Sequence, residues 1–301
     1  MASAGFKGKF LMMRWQSPDR VAVFQPDICH QWQRIGLTED RQEKCAQIAI
    51  TRGGVAKAST SASPPEGGAL AKPANGTFQI SLHRRISESA LINLMRALRA
   101  IEPELPMNLR VDAQLQQGLS RSELCLQLAL RALGDIERNN EALFMSNLEL
   151  LQPATLKSLT SSNLLRLAQL DMSNMDAPSA LMKASAARVS NLVSVGQNRS
   201  MRLYFLALPA EVDWPASLPD IGAPLDEETD SVPCRWLSTL YEVAMAIQAP
   251  LYHHGFIRIG PAGMRPFKRI IHPITPQNDR PSNFRVLSVA EISENDAIVI
   301  I

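Results

Sequence analysis

The chain has 301 residues and a nearly neutral charge balance, with 31 Lys and Arg against 29 Asp and Glu. This balance does not favour a nucleic-acid surface, which usually carries a marked basic excess. The sequence contains no run of about 18 apolar residues, so no membrane span is expected. The 46% of hydrophobic residues is enough to bury one or two cores of ordinary size. The apolar run at 10–13 is too short for a secretory signal, so we expect a cytoplasmic protein.

The N-terminal 80 residues are expected to be irregular. Two short apolar stretches at 10–13 and 21–24 could form a hairpin. Residues 53–76 are rich in Ala, Ser, Gly and Pro, a composition typical of a linker. Cys29, His30 and Cys45 could supply three metal ligands, but a fourth is missing nearby. No metal site is therefore predicted.

Residues 81–139 are predicted to be a helical segment. Ser87 can cap a first helix that ends near Pro103, with an apolar stripe of Leu91, Leu94, Met95, Leu98 and Ile101. Ser120 and Glu123 have the spacing of a capping box before a second helix, whose stripe is Leu126, Ala129, Leu130, Leu133 and Ile136. Both stripes are typical of core faces. A helical dimer interface is the alternative.

The C-terminal half changes from helical to strand periodicity. A helical zone at 148–170 precedes a hairpin with strands near 189–195 and 201–207. Pro233 opens a helix that ends before Pro250. Three further strands are expected at 251–259, 267–274 and 284–291, followed by a tail at 293–301.

This order of two strands, a long connection with a helix, and three strands resembles a PAS domain. In one subgroup of bacterial PAS-like domains, a segment resembling P-x-x-L-x-x-L-L and an Asp precede the first strand, as residues 153–171 do here. Residues 268–274 resemble that subgroup's last motif, R-x-x-x-P-L, with Ile274 in place of the final leucine. The resemblance covers about residues 140–292. It implies an α+β fold with a five-stranded antiparallel PAS-like sheet and helices, after the helical segment and the irregular N-terminal region.

Candidate site residues come from the strands and the last helix. No Gly-rich phosphate loop, nucleophile elbow or HExxH motif is present in the sequence. His253 and His254 are adjacent on a strand, so their side chains point to opposite faces and cannot both bind one metal. The predicted ligand-binding residues are Tyr241, Tyr252, His254, Phe256 and His272.

The function expected from this sequence is that of a non-enzymatic regulatory or sensory adaptor. It would bind a small molecule or a protein partner and signal through protein contacts, with neither nucleic acid nor membrane as partner. A homodimer through the amphipathic helices is an open option, and the sequence names no cofactor. A basic cluster of Arg258, Arg265, Lys268 and Arg269, with Arg280 and Arg285, could meet an acidic partner, a nucleotide or the acidic run at 226–230. The alternatives are an enzyme with a non-standard site around His254 and His272, or a structural subunit of a larger assembly.

Overall fold

The computed structural model is a mixed α and β structure in which three helices lie between two six-stranded sheets. It describes residues 47–52, 54–58, 63–74, 76–99, 101, 103–139, 144–172, 175–198, 201–208, 220–225, 231–258, 263–274 and 285–292. The hairpin expected at 10–24, the cysteines at positions 29 and 45, and the tail at 293–301 lie outside these residues.

The first sheet is formed by residues between 48 and 119. Its strands are β1 (Ile48–Thr51), β2 (Gly54–Lys57), β3 (Ala69–Ala74), β4 (Thr77–Leu82), β5 (Met107–Val111) and β6 (Gln114–Leu119). They lie in the order β2-β1-β3-β4-β5-β6, and only β4 and β5 run parallel. Helix α1 (Glu88–Leu98) makes the crossover between β4 and β5, and α2 (Arg121–Asn139) follows β6.

These strands correct two sequence-based expectations. The predicted linker at 53–76 contains β2 and β3, and the predicted helical segment at 81–139 contains the β5–β6 hairpin. The linker prediction is wrong because the residues at the start of β3 are small. Ala69 and Ala71 are fully buried next to α1, and a Cβ on Gly68 would lie only 2.3 Å from the carbonyl oxygen of Ile50. Small residues allow this close packing, but in the sequence they give the composition of a linker.

The second sheet is entirely antiparallel. Its strands are β7 (Phe144–Leu150), β8 (Leu192–Gln197), β9 (Leu203–Ala207), β10 (Leu251–Arg258), β11 (Met264–Ile274) and β12 (Arg285–Ile292). They lie in the order β7-β10-β11-β12-β8-β9. The five predicted strands are all present, and α6 (Val232–Ile247) begins one residue before Pro233.

The sheet has six strands rather than five, because β7 pairs along most of β10. The sequence analysis assigned the end of β7, from Leu148 onward, to a helical zone. The helices of that zone are shorter: α3 (Pro153–Ser158) and α4 (Ser162–Ala168), followed by α5 (Ala177–Ala186). A single seven-residue strand ahead of a Pro-initiated helix gives little periodicity from which to separate the two.

Helices α1, α2 and α6 pack against one another between the sheets. Helix α1 covers β1, β2 and β3, whereas α6 covers β11 and β12. The predicted stripe of α1 is buried throughout, and in α2 Ala129, Leu133 and Ile136 are buried while Leu130 is exposed. Both stripes therefore belong largely to the core within the chain, as expected of core faces. None of the helices in the described ranges has the length and apolar character needed to cross a bilayer.

The second sheet is covered on both faces. Phe267 and Ile271 of β11 belong to the same core as α6, whereas Ile270 and Ile274 pack in a second core with residues of α4 and α5. Ile270 and Ile274 therefore lie on the face opposite to α6, because successive side chains of a strand alternate between its two faces.

Candidate functional site

The structure brings two of the predicted site residues into contact. The rings of Tyr252 and His254 stack on β10, with centroids 4.8 Å apart and an interplanar angle of 20°. Asn147 of β7 lies beside them, its Nδ2 3.4 Å from Nε2 of His254. Phe256, two residues further on the strand, lies on the same face by alternation and is half-buried. These residues are on the side of the sheet that α4 and α5 cover.

His272 and Tyr241 lie elsewhere. The strand position opposite His254 is Lys268, four residues and therefore about 13 Å from His272 along β11. The His272 ring nitrogens lie 3.0 Å and 3.2 Å from the carbonyl oxygens of Leu170 and Pro273, and burial lowers its pKa. Tyr241 belongs to α6 and packs on the opposite face of the sheet. The five predicted residues therefore do not line one pocket.

A buried polar group lies instead between α6 and the sheet. We call it the Arg269 cluster, and it comprises Trp236, Tyr241, His253, Phe267, Arg269 and Ser288. Arg269 and His253 are directly opposite each other on β11 and β10. The Trp236 ring centroid lies 4.9 Å from the Arg269 Cζ and 4.8 Å from the His253 ring. Phe267 completes the aromatic contacts, 4.9 Å from His253 and 5.6 Å from Trp236.

The cluster holds a cation without a counter-charge among the described residues. Arg269 is only 8% exposed, its Nη1 has no hydrogen-bond partner, and burial lowers its pKa. Both ring nitrogens of the fully buried His253 are also unpartnered within the described part of the chain. Burial, and then the charge of Arg269, hold the pKa of His253 well below its usual value, so its imidazole is neutral.

Tyr241 is the third polar side chain of the cluster. Its hydroxyl is hydrogen-bonded to Ser288, and burial raises its pKa while the nearby Arg269 opposes that shift. Arg269 was predicted to belong to a basic cluster with Arg258, Arg265 and Lys268, whereas its side chain is buried. The signal was present, because Arg269 shares a strand face with the apolar Phe267 and Ile271, and a residue between them must be buried if they are.

A second buried polar group, the Glu242 network, joins both halves of the chain. The carboxylate of Glu242 on α6 is fully buried, and it accepts a hydrogen bond from Arg96 Nε at 2.8 Å and pairs with Arg99. The side-chain amide of Gln197 on β8 donates to Glu242 at 3.2 Å and to the carbonyl of Met201 at 2.9 Å. Burial lowers the pKa of Arg99, an effect that Glu242 opposes.

The outer face of the first sheet forms a groove of about 780 Å³. Strands β3 to β6 supply most of its lining, which includes the amide side chains of Gln79, Asn108 and Gln117. The charged residues of the lining are Lys72, Arg84, Arg110 and Asp112, so the groove carries more positive than negative charge. None of the predicted site residues lines it.

The described residues offer little support for metal or thiol chemistry. They contain no group of three or more His, Cys, Asp or Glu side chains placed to hold a metal. Burial raises the pKa of Cys125 to about 12, so its thiol stays protonated and unreactive at neutral pH. Comparisons with protein family models, with curated proteins and with solved structures found no match to this chain.

Proposed function

We propose that this chain is a cytoplasmic, non-enzymatic sensory adaptor whose second half is PAS-like. In this proposal a small molecule binds between α6 and the second sheet, and the resulting shift of α6 reaches the first sheet, which contacts a protein partner. The observation that carries the proposal is the Glu242 network, because one buried carboxylate on α6 is held by Arg96 of α1 and by Arg99 at the C-terminal cap of α1.

The architecture of the second half supports the PAS-like part of the proposal. Strands β8 to β12 are a hairpin, a long connection that ends in α6, and three more strands, all in one antiparallel sheet. Helix α6 packs on one face of this sheet. The added strand β7 lies at the edge beside β10 and leaves the order of the other five intact.

The Glu242 network supports the transfer of a change from α6 to α1. Separating a buried carboxylate from its arginines would leave unpaired charges in the core, which is costly. Arg96 and Arg99 are therefore expected to follow any movement of Glu242. Because α1 covers β1, β2 and β3, the movement would then alter the packing of the first sheet.

The groove on the first sheet supports a protein partner of acidic character. Lys72 and Arg110 project from neighbouring parts of the sheet into an open lining rich in amide groups. Such a surface complements an extended acidic segment through charge and hydrogen bonds. The enzyme alternative gains no comparable support, since His272 lies four residues, or about 13 Å, along β11 from the position opposite His254.

Amide hydrogen exchange tests the coupling directly. Trp236→Phe changes the packing beneath α6, and we expect faster exchange in β1 and β3 as well as locally. In a Glu242→Gln background, Trp236→Phe should cause no further change in the exchange of β1 and β3 relative to Glu242→Gln alone. Ile270→Val is the matched control, because it alters the opposite core of the same sheet. Unchanged exchange in the first sheet with Trp236→Phe would contradict the proposed coupling.

A further inference from the structure

Arg269 is the most unusual charged side chain of the second sheet. It projects from the middle of β11 into the core beneath α6, and its Nη1 has no hydrogen-bond partner among the residues that the structure describes. A guanidinium remains protonated in proteins. The chain therefore places a full positive charge in a largely apolar environment with no carboxylate of the described residues beside it.

The surroundings compensate this charge only in part. The face of Trp236, 4.9 Å from Cζ, provides a cation–π attraction, which is weaker than the cost of removing an ion from water. Tyr241 keeps its proton because burial raises its pKa, so it supplies a dipole rather than a charge. An anion that reached the cluster would therefore stabilise the buried cation further.

The hydrogen-bonding capacity of the cluster matches an anion. Arg269 offers an unpartnered Nη1, and the adjacent neutral His253 offers one N–H. Both side chains project from directly opposite strand positions against the same indole ring. An arginine fork next to a second donor is the usual arrangement for binding carboxylate or phosphoryl oxygens.

We infer that Arg269 and His253 form an anion-binding subsite beneath α6, for a small molecule that carries a carboxylate or a phosphoryl group. The inference names the ligand class of the site in the proposed adaptor and rests on that proposal only for the claim that binding is sensed. The aromatic rings of Trp236 and Phe267 suit a planar or apolar remainder of the ligand.

The competing explanation is an anion supplied by the chain itself. The acidic residues Asp226, Glu227, Glu228 and Asp230 shortly precede α6 in sequence and lie outside the described residues. A variant in which all four are changed to the corresponding amides separates this explanation from an external ligand. Binding of an added anion only in that variant would overturn the inference.

The experiment measures the binding of inorganic phosphate and of succinate by calorimetry, at constant ionic strength. We expect at least one of these two anions to bind the wild-type chain. We expect Arg269→Met to weaken that binding by roughly tenfold or more. Lys268→Met is the matched control, since its neighbouring side chain points to the other face, and binding should change by less than about twofold.

A second variant keeps the test decisive if Arg269→Met alters folding. His253→Phe preserves an aromatic ring but removes the N–H, and we expect binding to fall several-fold with the fold retained. Absence of phosphate and succinate binding to the wild-type chain, or equal loss in the Lys268→Met control, would overturn the inference.

The same samples separate the two proposals. Anion binding without altered amide exchange in β1 and β3 would leave the subsite standing and contradict the adaptor mechanism. Absence of phosphate and succinate binding to the wild-type chain, together with faster exchange of β1 and β3 in Trp236→Phe, would contradict the anion-binding subsite but not the adaptor mechanism.

Discussion

Glu242 on α6 and Arg99 at the C-terminal cap of α1 form an ion pair in which the carboxylate is fully buried. Arg96, one turn earlier, donates to the other carboxylate oxygen at 2.8 Å. One anion thus neutralises two cations that come from a distant part of the sequence. The pair fixes the position of α1 relative to α6 and thereby links the two sheets.

Glu242→Gln should therefore destabilise the whole chain. Removing the carboxylate leaves two arginines without a counter-charge in the core, and breaking such a buried pair typically costs about 3–5 kcal/mol. Glu88→Gln is the matched control, because its partner Arg235 is one-third exposed and a loss of only about 1 kcal/mol or less is expected. Urea denaturation measures both, and equal losses would contradict the assigned role of Glu242.

Ser120→Ala should destabilise α2 at its first turn. The capping box predicted from the sequence is formed, since the Ser120 backbone N–H donates to Glu123 at 2.8 Å and the Glu123 N–H donates to Ser120 Oγ at 3.2 Å. The expected loss is about 1 kcal/mol. Ser122→Ala, in the same turn but outside the box, controls for the change of residue type. A melting temperature that is the same for both variants would contradict the cap.

The local signals for helix starts could be recognised in the sequence, whereas the pairing of the strands could not. The capping box and the helix opened by Pro233 each depend on a few adjacent residues, and both are where they were predicted. In contrast, β3 is recognisable only beside α1, because its alanines gain their burial from that contact. The position of β7 likewise depends on β10, more than a hundred residues later.

The candidate site illustrates the same limit. The alternation of side chains along β10 correctly places His253 and His254 on opposite faces of the sheet. The sequence of a single strand does not show, however, that α6 covers the face with His253 and Arg269. Arg269 resembles its exposed neighbour Lys268 until the faces are assigned. The spacing places Arg269 on the same face as Phe267 and Ile271, but only the tertiary structure shows that α6 covers this face and that the other members of the Arg269 cluster meet there.

Gly255→Ala should loosen β7 from the sheet. A Cβ at this position would lie 1.9 Å from the carbonyl oxygen of Met145, and the obstacle is backbone rather than a flexible side chain. The strands must therefore move apart, and we expect a loss of about 2 kcal/mol or more. Gly134→Ala in α2 is the control, since its Cβ has ordinary space and helix propensity favours alanine by about 1 kcal/mol. Faster amide exchange confined to β7 and β10 would localise the effect.

The stability of the chain should fall as the pH decreases below about 6.5. Burial holds the pKa values of His253 and His272 below their ordinary value in the folded state. The unfolded chain therefore binds protons that the folded chain does not, and the stabilisation that is complete above the unfolded pKa is lost as pH falls towards the folded pKa. Each histidine contributes at most about 1.4 kcal/mol per pH unit within this window.

His253→Phe should remove part of that pH dependence. The phenyl ring can keep the contacts with Trp236 and Phe267 but binds no proton, so the stability lost between pH 7.5 and 5 should be smaller than in the wild-type chain. Thermal melts across this range measure the difference, and His254→Phe, one residue away and half-buried, serves as the control substitution. Equal losses of stability on acidification in His253→Phe and in the wild-type chain would contradict the lowered pKa of His253 in the folded state. Neither burial nor the charge of Arg269 would then disfavour the protonated ring.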